Sequence, residues 1–404
     1  MKKLLVTLLL TLLGYNIVQS QDWININSPV SIDLTKVKFL NSSIGLAVGR
    51  EGVVLKTTNG GISWVQKNIN QTTHLSDVCF IGNQIVLASG IDAILRSTDL
   101  GESWIDIDVP ALENFMSMSF LDQNTGFACG SGATIIKTTN GGLNWQLVSQ
   151  GTGGFYSCKF FDVNNGVAIN SFNVIKKTTN GGVSWFNVYT TPNAPRCMFF
   201  NGSTSFVSGW GGYIFKTTNN GTNWSVVDNG GKDYDIYSGS FLNQDIGLFT
   251  GPAPGWSKGI IFKTLNGGNS WVLTDSINGS PYSMDFAGNY AVIVCDSGKI
   301  FRSSNPIGIR EISSQVPDKY SLSQNYPNPF NPTTNIEFSV PKTGAVKLTV
   351  FDLTGREIST LVKSTLSVGK YRVDFNAGNL SSGTYFYRLE TDSYVLTKKM
   401  VLVK

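Results

Sequence analysis

Apolar residues come in short runs broken by Gly, Asn, Ser and Thr, and the order of the runs repeats. The run ending at Phe39 is followed by GLAVG (45–49), by the apolar run Val53-Val54-Leu55, and then by the phrase KTTNGGISW (56–64). Runs this short between turn residues predict strands rather than helices. Asn-Gly between two apolar runs predicts a tight hairpin, because both residues accept positive φ. Each unit therefore reads strand, turn, strand, short loop, strand, tight turn, strand.

The hairpin phrase recurs as RSTDLGESW (96–104), KTTNGGLNW (137–145), KTTNGGVSW (177–185), KTTNNGTNW (216–224) and KTLNGGNSW (263–271); a seventh copy starts at Phe301 and loses its Gly-Gly and Trp. Its Trp residues, at 64, 104, 145, 185, 224 and 271, are spaced by 40, 41, 40, 39 and 47. The upstream strand ends in Phe39, Phe80, Phe120, Phe160, Phe199, Phe241 and Phe286. Units of about 40 residues with four strands each predict β-propeller blades, since one such sheet buries too little alone. Seven strand-Phe positions set against six complete hairpins leave one blade short. Trp23 lies 41 residues before Trp64. Residues 22–30 are therefore expected to supply the outer strand of the last blade and close the ring. The expected domain spans 21–305.

Blade grammar stops near Asn305. Residues 306–318, with Pro306 and Pro317, read as a polar linker. From 319 to 404 strict alternation returns, as in Val346-Lys347-Leu348-Thr349-Val350 and Tyr385-Phe386-Tyr387-Arg388-Leu389, with Gly355, Gly369 and Gly383 as punctuation. This predicts a small immunoglobulin-like sandwich of about seven strands. The fold class is all-β throughout: a seven-bladed propeller closed by an N-terminal strand, plus the sandwich.

The start of the chain has a different character. Lys2 and Lys3 precede the apolar run Leu4–Leu13, and Val18-Gln19-Ser20 resembles a cleavage site. Residues 1–20 read as a secretory signal peptide, the run being too short to span a bilayer. No later stretch is long and apolar enough for a transmembrane helix. Charge narrows the partners. Residues 21–316 carry 18 Lys+Arg and 20 Asp+Glu, whereas 317–404 carry 11 and 7. The propeller has no basic surplus, which argues against nucleic acid. The five cysteines, Cys79, Cys129, Cys158, Cys197 and Cys295, include no CxxC and read as thiols filling small apolar positions.

The repeat phrase resembles the Asp-box, or BNR, repeat of sialidase-like propellers, and more closely the repeats of the photosystem II assembly-factor family of seven-bladed propellers. Only Asp99 keeps the acid of the box; other copies have Asn. The box is a structural turn in those families, so the resemblance implies no chemistry for it. Residues 319–404 resemble the type A sorting domain of the type IX secretion system, through NYPNPFNPTT (325–334), FDLTGRE (351–357), LSSGTYFYRL (380–389) and TKKMVLVK (397–404). That resemblance implies handling by the type IX machinery and passage from the periplasm across a Gram-negative outer membrane, to the cell surface or beyond.

Catalytic chemistry is poorly supplied. His74 is the sole histidine, which leaves no His-based metal site and no choice of triad. The sialidase resemblance would imply three arginines on a carboxylate. Arg96 and Arg302 stand in the repeat Lys position and Arg310 in the linker, so only Arg50 and Arg196 remain in the propeller. Glu51, Asp92, Glu113, Asp233, Asp235 and Asp296 are loop acids without a glycosidase motif. No catalytic, metal or cofactor residue is assigned.

Strand order separates two faces. The Asn-Gly hairpins share one with turns such as Asn41–Ser43. The loops from second to third strands share the other with the inter-blade stretches. The second face varies between copies, which is where recognition belongs. It is expected to hold Arg50, Glu51, Phe115, Phe155, Tyr156, Trp210, Tyr234, Trp256 and Lys258, the last pair on the insertion GPAPGWSKG (251–259). The binding candidates are Arg50, Glu51, Trp210, Tyr234, Trp256 and Lys258. The reading is a secreted, non-catalytic binding module for a surface protein or glycan. The alternative is an extracellular glycoside hydrolase or lyase on the same scaffold.

Overall fold

The computed structural model describes residues 23–304, 307–313, 315–377 and 380–404. The expected signal peptide lies outside them. Seven four-stranded antiparallel sheets follow one another from Trp23 to Ser303. Blade 1 comprises Leu34–Phe39, Gly45–Gly49, Val54–Thr57 and Val65–Lys67, and blades 2 to 6 repeat this order. Blade 7 takes Pro281–Ala287, Tyr290–Cys295 and Ile300–Ser303 from the end of the repeats. Its fourth strand is Trp23–Ile26, which pairs antiparallel with Ile300–Ser303.

The hairpin phrase works through its polar atoms. In blade 1 the Thr57 hydroxyl accepts the Gly61 N–H at 3.0 Å, the Asn59 side chain accepts the Ser63 N–H at 3.0 Å, and Gly60 and Gly61 take φ of 71° and 83°. The basic residue that opens the phrase reaches the next blade's hairpin. Lys56 binds Glu102 at 2.7 Å, Arg96 donates to the Gly141 carbonyl at 3.0 Å, Lys216 donates to Asn269 at 2.7 Å, and Arg302 donates to the Gly60 carbonyl at 2.9 Å. Blade 7 is thereby tied to blade 1 by the same device as its predecessors.

Hydrophobic packing lies between sheets. A separate core fills each junction between neighbouring blades: Leu34, Val37, Leu55 and Trp64 meet Ala287, Val292, Val294 and Ile300 at the closing junction. Phe199, Phe206, Phe249 and Trp271 form the core between blades 5 and 6. Phe199 had been expected at the end of the inner strand, but pairing gives that place to Phe200, opposite Ser205, as Phe39 lies opposite Gly45. Phe199 turns instead into the core, where it stacks on Phe206 at 5.1 Å. The thiols of Cys129, Cys158, Cys197 and Cys295 are buried in or beside these cores.

Innermost strands have one unpaired edge, and its N–H groups need acceptors. Side chains of the adjacent blade supply them. Asp77 accepts from Met118 at 2.9 Å, Ser119 from Phe160 at 3.0 Å, Ser238 from Met284 at 3.1 Å and Asp285 from Phe39 at 2.9 Å.

The tail folds as two four-stranded sheets around one core that includes Ile309, Phe338, Val350, Tyr387 and Met400. Part of the expected linker is a strand: Ile309–Ser313 pairs with Gly369–Asn376. Its polar composition concealed two inward isoleucines. Ile307 is buried in the core shared by blades 6 and 7, and Ile309 in the tail core. Among the described residues no helix is long and apolar enough to cross a membrane.

Candidate functional site

The two faces separate as strand order requires. The Gly60 N–H donates to the Ser43 carbonyl at 2.8 Å on the hairpin side. On the other side the second-to-third loops bond inter-blade stretches, as in Gly52 to Thr73 at 2.8 Å and Asp92 to Glu113 at 3.0 Å.

A bulge near the start of the inner strand builds the rim of this variable face. Register shifts fall between Leu34 and Lys36, Leu75 and Asp77, Phe115 and Ser117, Phe155 and Ser157, Pro195 and Cys197, and Pro281 and Ser283. A bulge leaves one residue unpaired and re-aims its side chain. The unpaired residues are Thr35, Ser76, Met116, Tyr156, Arg196 and Tyr282, and Tyr237 is the blade 6 equivalent. Each stands four places before the last Phe of its strand. The flanking residue on the other side packs inward, so Phe115 and Phe155, expected on this face, are core residues at 0% and 2% exposure.

Four consecutive blades carry large side chains at this position. The Arg196 guanidinium lies 4.8 Å from the Tyr156 ring centre and 4.6 Å from that of Trp210. Trp210, in the short turn Trp210–Gly212, lies close enough to the Tyr237 hydroxyl to act on its titration. Tyr237 stacks on Tyr282 at 6.4 Å and meets Trp256 edge-on at 5.7 Å. An arc of one cation and five aromatic rings results. Trp210 and Trp256 remain 42% and 49% exposed. Burial raises the Tyr237 hydroxyl above its ordinary pKa, opposed by Trp210 and by Arg196.

The expected residues divide. Trp210 and Trp256 belong to the arc. Arg50 pairs with Asp33 at 3.5 Å, and this pair lies within electrostatic reach of Tyr282 and of His74. Burial, then Arg50, pushes the His74 imidazole below its ordinary pKa, with Asp33 opposing. Glu51 and Lys258 are exposed. Tyr234 is turned away: it packs on Phe262 at 6.1 Å and lines an outer cleft with Trp23 and Leu273. Its ring is partly buried against the core between blades 5 and 6. Arg196, Tyr237 and Tyr282 had not been singled out as ligands, although the constant offset from the strand Phe is written in the sequence.

Three of the six loop acids of the face are engaged by neighbours. Asp235 accepts the Gly211 N–H at 3.0 Å, Asp296 accepts the Ser280 N–H at 2.8 Å, and Glu113 accepts from Ser131 and from Gln150 at 3.0 Å. One residue beyond the rim, Lys36 pairs with Asp77 at 3.4 Å, and two residues further Lys38 lies 3.7 Å from Asp285. Asp77 raises the Lys36 amine above its ordinary pKa against the opposing effect of burial. No cluster of His, Cys, Asp and Glu among the described residues is arranged to hold a metal ion.

Comparison with known proteins follows the same division of the chain. A family model described as the photosynthesis system II assembly factor YCF48 matches residues 15–112 and 103–231, and one described as a secretion system C-terminal sorting domain matches 324–404. Among solved structures, YCF48 from Cyanidioschyzon merolae is 21% identical, with 70% of this chain and 98% of that chain covered and a TM-score of 0.57. A structure of YCF48 bound to D1 peptide gives 19%, 71%, 99% and 0.60 for the same measures. The WD40 β-propeller domain of Doa1 gives 17%, 72%, 98% and 0.54. At these identities the likeness shows the fold. No curated protein matches in sequence.

Proposed function

Since the chain belongs to the family of the photosynthesis system II assembly factor YCF48, we propose that its propeller is a binding module, here exported through the type IX secretion machinery by residues 319–404. The signal peptide read in residues 1–20 delivers the chain to the periplasm, and the tail then directs it to the cell surface or the medium. The variable face binds a protein or glycan there, without turnover.

The observation that carries this reading is the packing of Arg196 against Tyr156 and Trp210, continued by Tyr237, Trp256 and Tyr282. Large aromatic faces beside a cation suit recognition, and they sit where the blades differ most. Arg50, Glu51 and Lys258 border the arc and extend the contact surface. A relative solved with a peptide supports binding as the use of this scaffold. The face acids support it too, because Asp235, Asp296 and Glu113 are tied to neighbours rather than opposed across a cleft.

The test is a glycan and peptide array on the exported protein, run beside hydrolysis assays on polysaccharides. Binding without turnover, lost in Trp210→Ala, is the expected result. Turnover that disappears when a face Asp or Glu is replaced overturns the reading in favour of a hydrolase or lyase. Deleting 319–404 is expected to hold the protein inside the outer membrane.

A further inference from the structure

The state of Arg196 narrows the ligand. Its guanidinium lies against two rings, Tyr156 and Trp210, and the residue is only half-buried. Its Nε is buried and has no hydrogen-bond partner. No carboxylate pairs with it among the described residues, whereas Arg50, Lys36 and Lys38 each have an acid within 4.0 Å. A cation lined by rings and lacking a carboxylate partner attracts an anion more strongly than one in open water. The Nε being closed off, the group that fits the open end of this guanidinium is a planar carboxylate, held end-on by two parallel hydrogen bonds from its two Nη groups.

A second feature decides what bears the carboxylate. Trp210 and Trp256, both exposed in large part, belong to the arc, with Trp256 carried on the turn Ala253–Lys258. A flat ring is the complement of a sugar face. Resting on these platforms with its acid group at Arg196 requires one compact unit with both features. A uronic acid has both, because its carboxylate is attached directly to the ring that stacks. An Asp or Glu side chain of a peptide satisfies the fork and leaves the platforms open.

We propose that the rim Tyr156–Arg196–Trp210–Tyr237–Trp256 binds a uronic acid residue of an acidic polysaccharide, with Arg196 gripping the carboxylate and the indoles carrying the sugar ring. The inference rests on the binding-module reading above.

Calorimetry on the full exported chain tests it, with short oligomers of galacturonate, mannuronate and glucuronate as probes. Methyl-esterified galacturonate and an acidic peptide serve as comparisons. The free uronide is expected to bind at least about tenfold more tightly than its ester, which keeps the ring and loses the charge. Arg196→Met is expected to bring that ratio close to one. Arg196→Lys keeps the charge but not the fork, and should restore only part of it. Trp256→Ala should weaken acid and ester alike. Thermal unfolding of each variant separates lost binding from lost folding.

Equal binding of acid and ester, or an unchanged ratio in Arg196→Met, overturns the uronic acid assignment. So does an acidic peptide binding this rim while no uronide does, yet the binding-module reading then stands. Absence of any binding across both arrays and the uronide set removes both.

Discussion

The backbone N–H of Phe39 donates to the carboxylate of Asp285 at 2.9 Å, a contact across 246 residues that ties the first blade to the last. The other carboxylate oxygen accepts from Ser240 at 3.0 Å, and Lys38 lies 3.7 Å away. Asp285→Ala strips an acceptor from an inner-strand N–H that has no sheet partner. The expected cost is about 1–3 kcal/mol, read as a lower urea midpoint at unchanged slope. Asp285→Asn keeps an acceptor and should recover much of it. Equal stability of wild type and Asp285→Ala would remove the seam from the account of ring closure.

Closure also depends on Trp23–Ile26, which covers the edge of Ile300–Ser303. Deleting Trp23–Ile26 exposes that edge, and bare edges pair with other chains. The shortened protein is expected to unfold at lower temperature and to form dimers or larger species in light scattering. A monomer with the wild-type melting temperature would contradict the closing role.

Core packing makes a sharper contrast. Trp271 is 1% exposed and meets Phe199, Phe241 and Phe249 at 6.0, 5.7 and 4.7 Å. Trp271→Ala should cost about 3–5 kcal/mol, the usual range for emptying an aromatic core position. Val183 is 62% exposed in an equivalent hairpin, and Val183→Ser should change stability by less than about 0.5 kcal/mol. Chemical denaturation of both variants checks the pair.

The blades were legible because their turns are local chemistry: KTTNGG carries its own hydrogen-bond pattern, and Trp spacing sets the period. Closure was legible from Trp23, since a lone terminal Trp at the repeat interval needs a sheet to complete. The rim was only partly legible. Trp210 and Trp256 stand beside Gly and Pro, which marks them as loop residues. Arg196 and Tyr282 lie inside strands that read as core, with Tyr237 just ahead of one, and a bulge is a matter of register between paired strands. Tyr234 misled for the converse reason. A tyrosine between two aspartates reads as exposed, but Phe262 from the next blade gives its ring an apolar wall. The linker hid Ile309 for want of a visible partner, because Gly369–Asn376 lies well downstream.

Asp99 offers a pH test of the turn. Burial acts to raise its pKa, but hydrogen bonds from Ser103, Ser97 and the Glu102 N–H outweigh this and hold it at about 2. A carboxylate depressed below its unfolded value stabilises the fold above that value, and the contribution fades as pH falls toward the folded pKa. Asp99→Asn, which matches the other copies, does not titrate. The stability gap between wild type and variant is therefore expected to shrink from pH 6 to pH 2.5. Solvent exposure keeps the gap small. A gap that is constant or grows on acidification would show that these hydrogen bonds do not favour the charged form.

The rim depends on a close backbone approach at the end of the second strand. A Cβ on Gly209 would lie 2.2 Å from the Ala194 carbonyl oxygen and 2.7 Å from the Arg196 nitrogen. Both are backbone atoms and cannot swing aside, so Gly209→Ala must push the Pro195–Arg196 bulge out of place. Overpacking of this kind costs about 1–3 kcal/mol. The same shift carries Arg196 off the face of Trp210, so uronide affinity should fall together with the melting temperature. Arg196→Met should instead lose carboxylate selectivity with little change in melting temperature. Gly151→Ala serves as control, because its nearest neighbour would be the Ala133 Cβ at 3.9 Å, an ordinary contact. Crystals of Gly209→Ala with the Arg196 stack intact would show that the bulge, and not this glycine, fixes the rim.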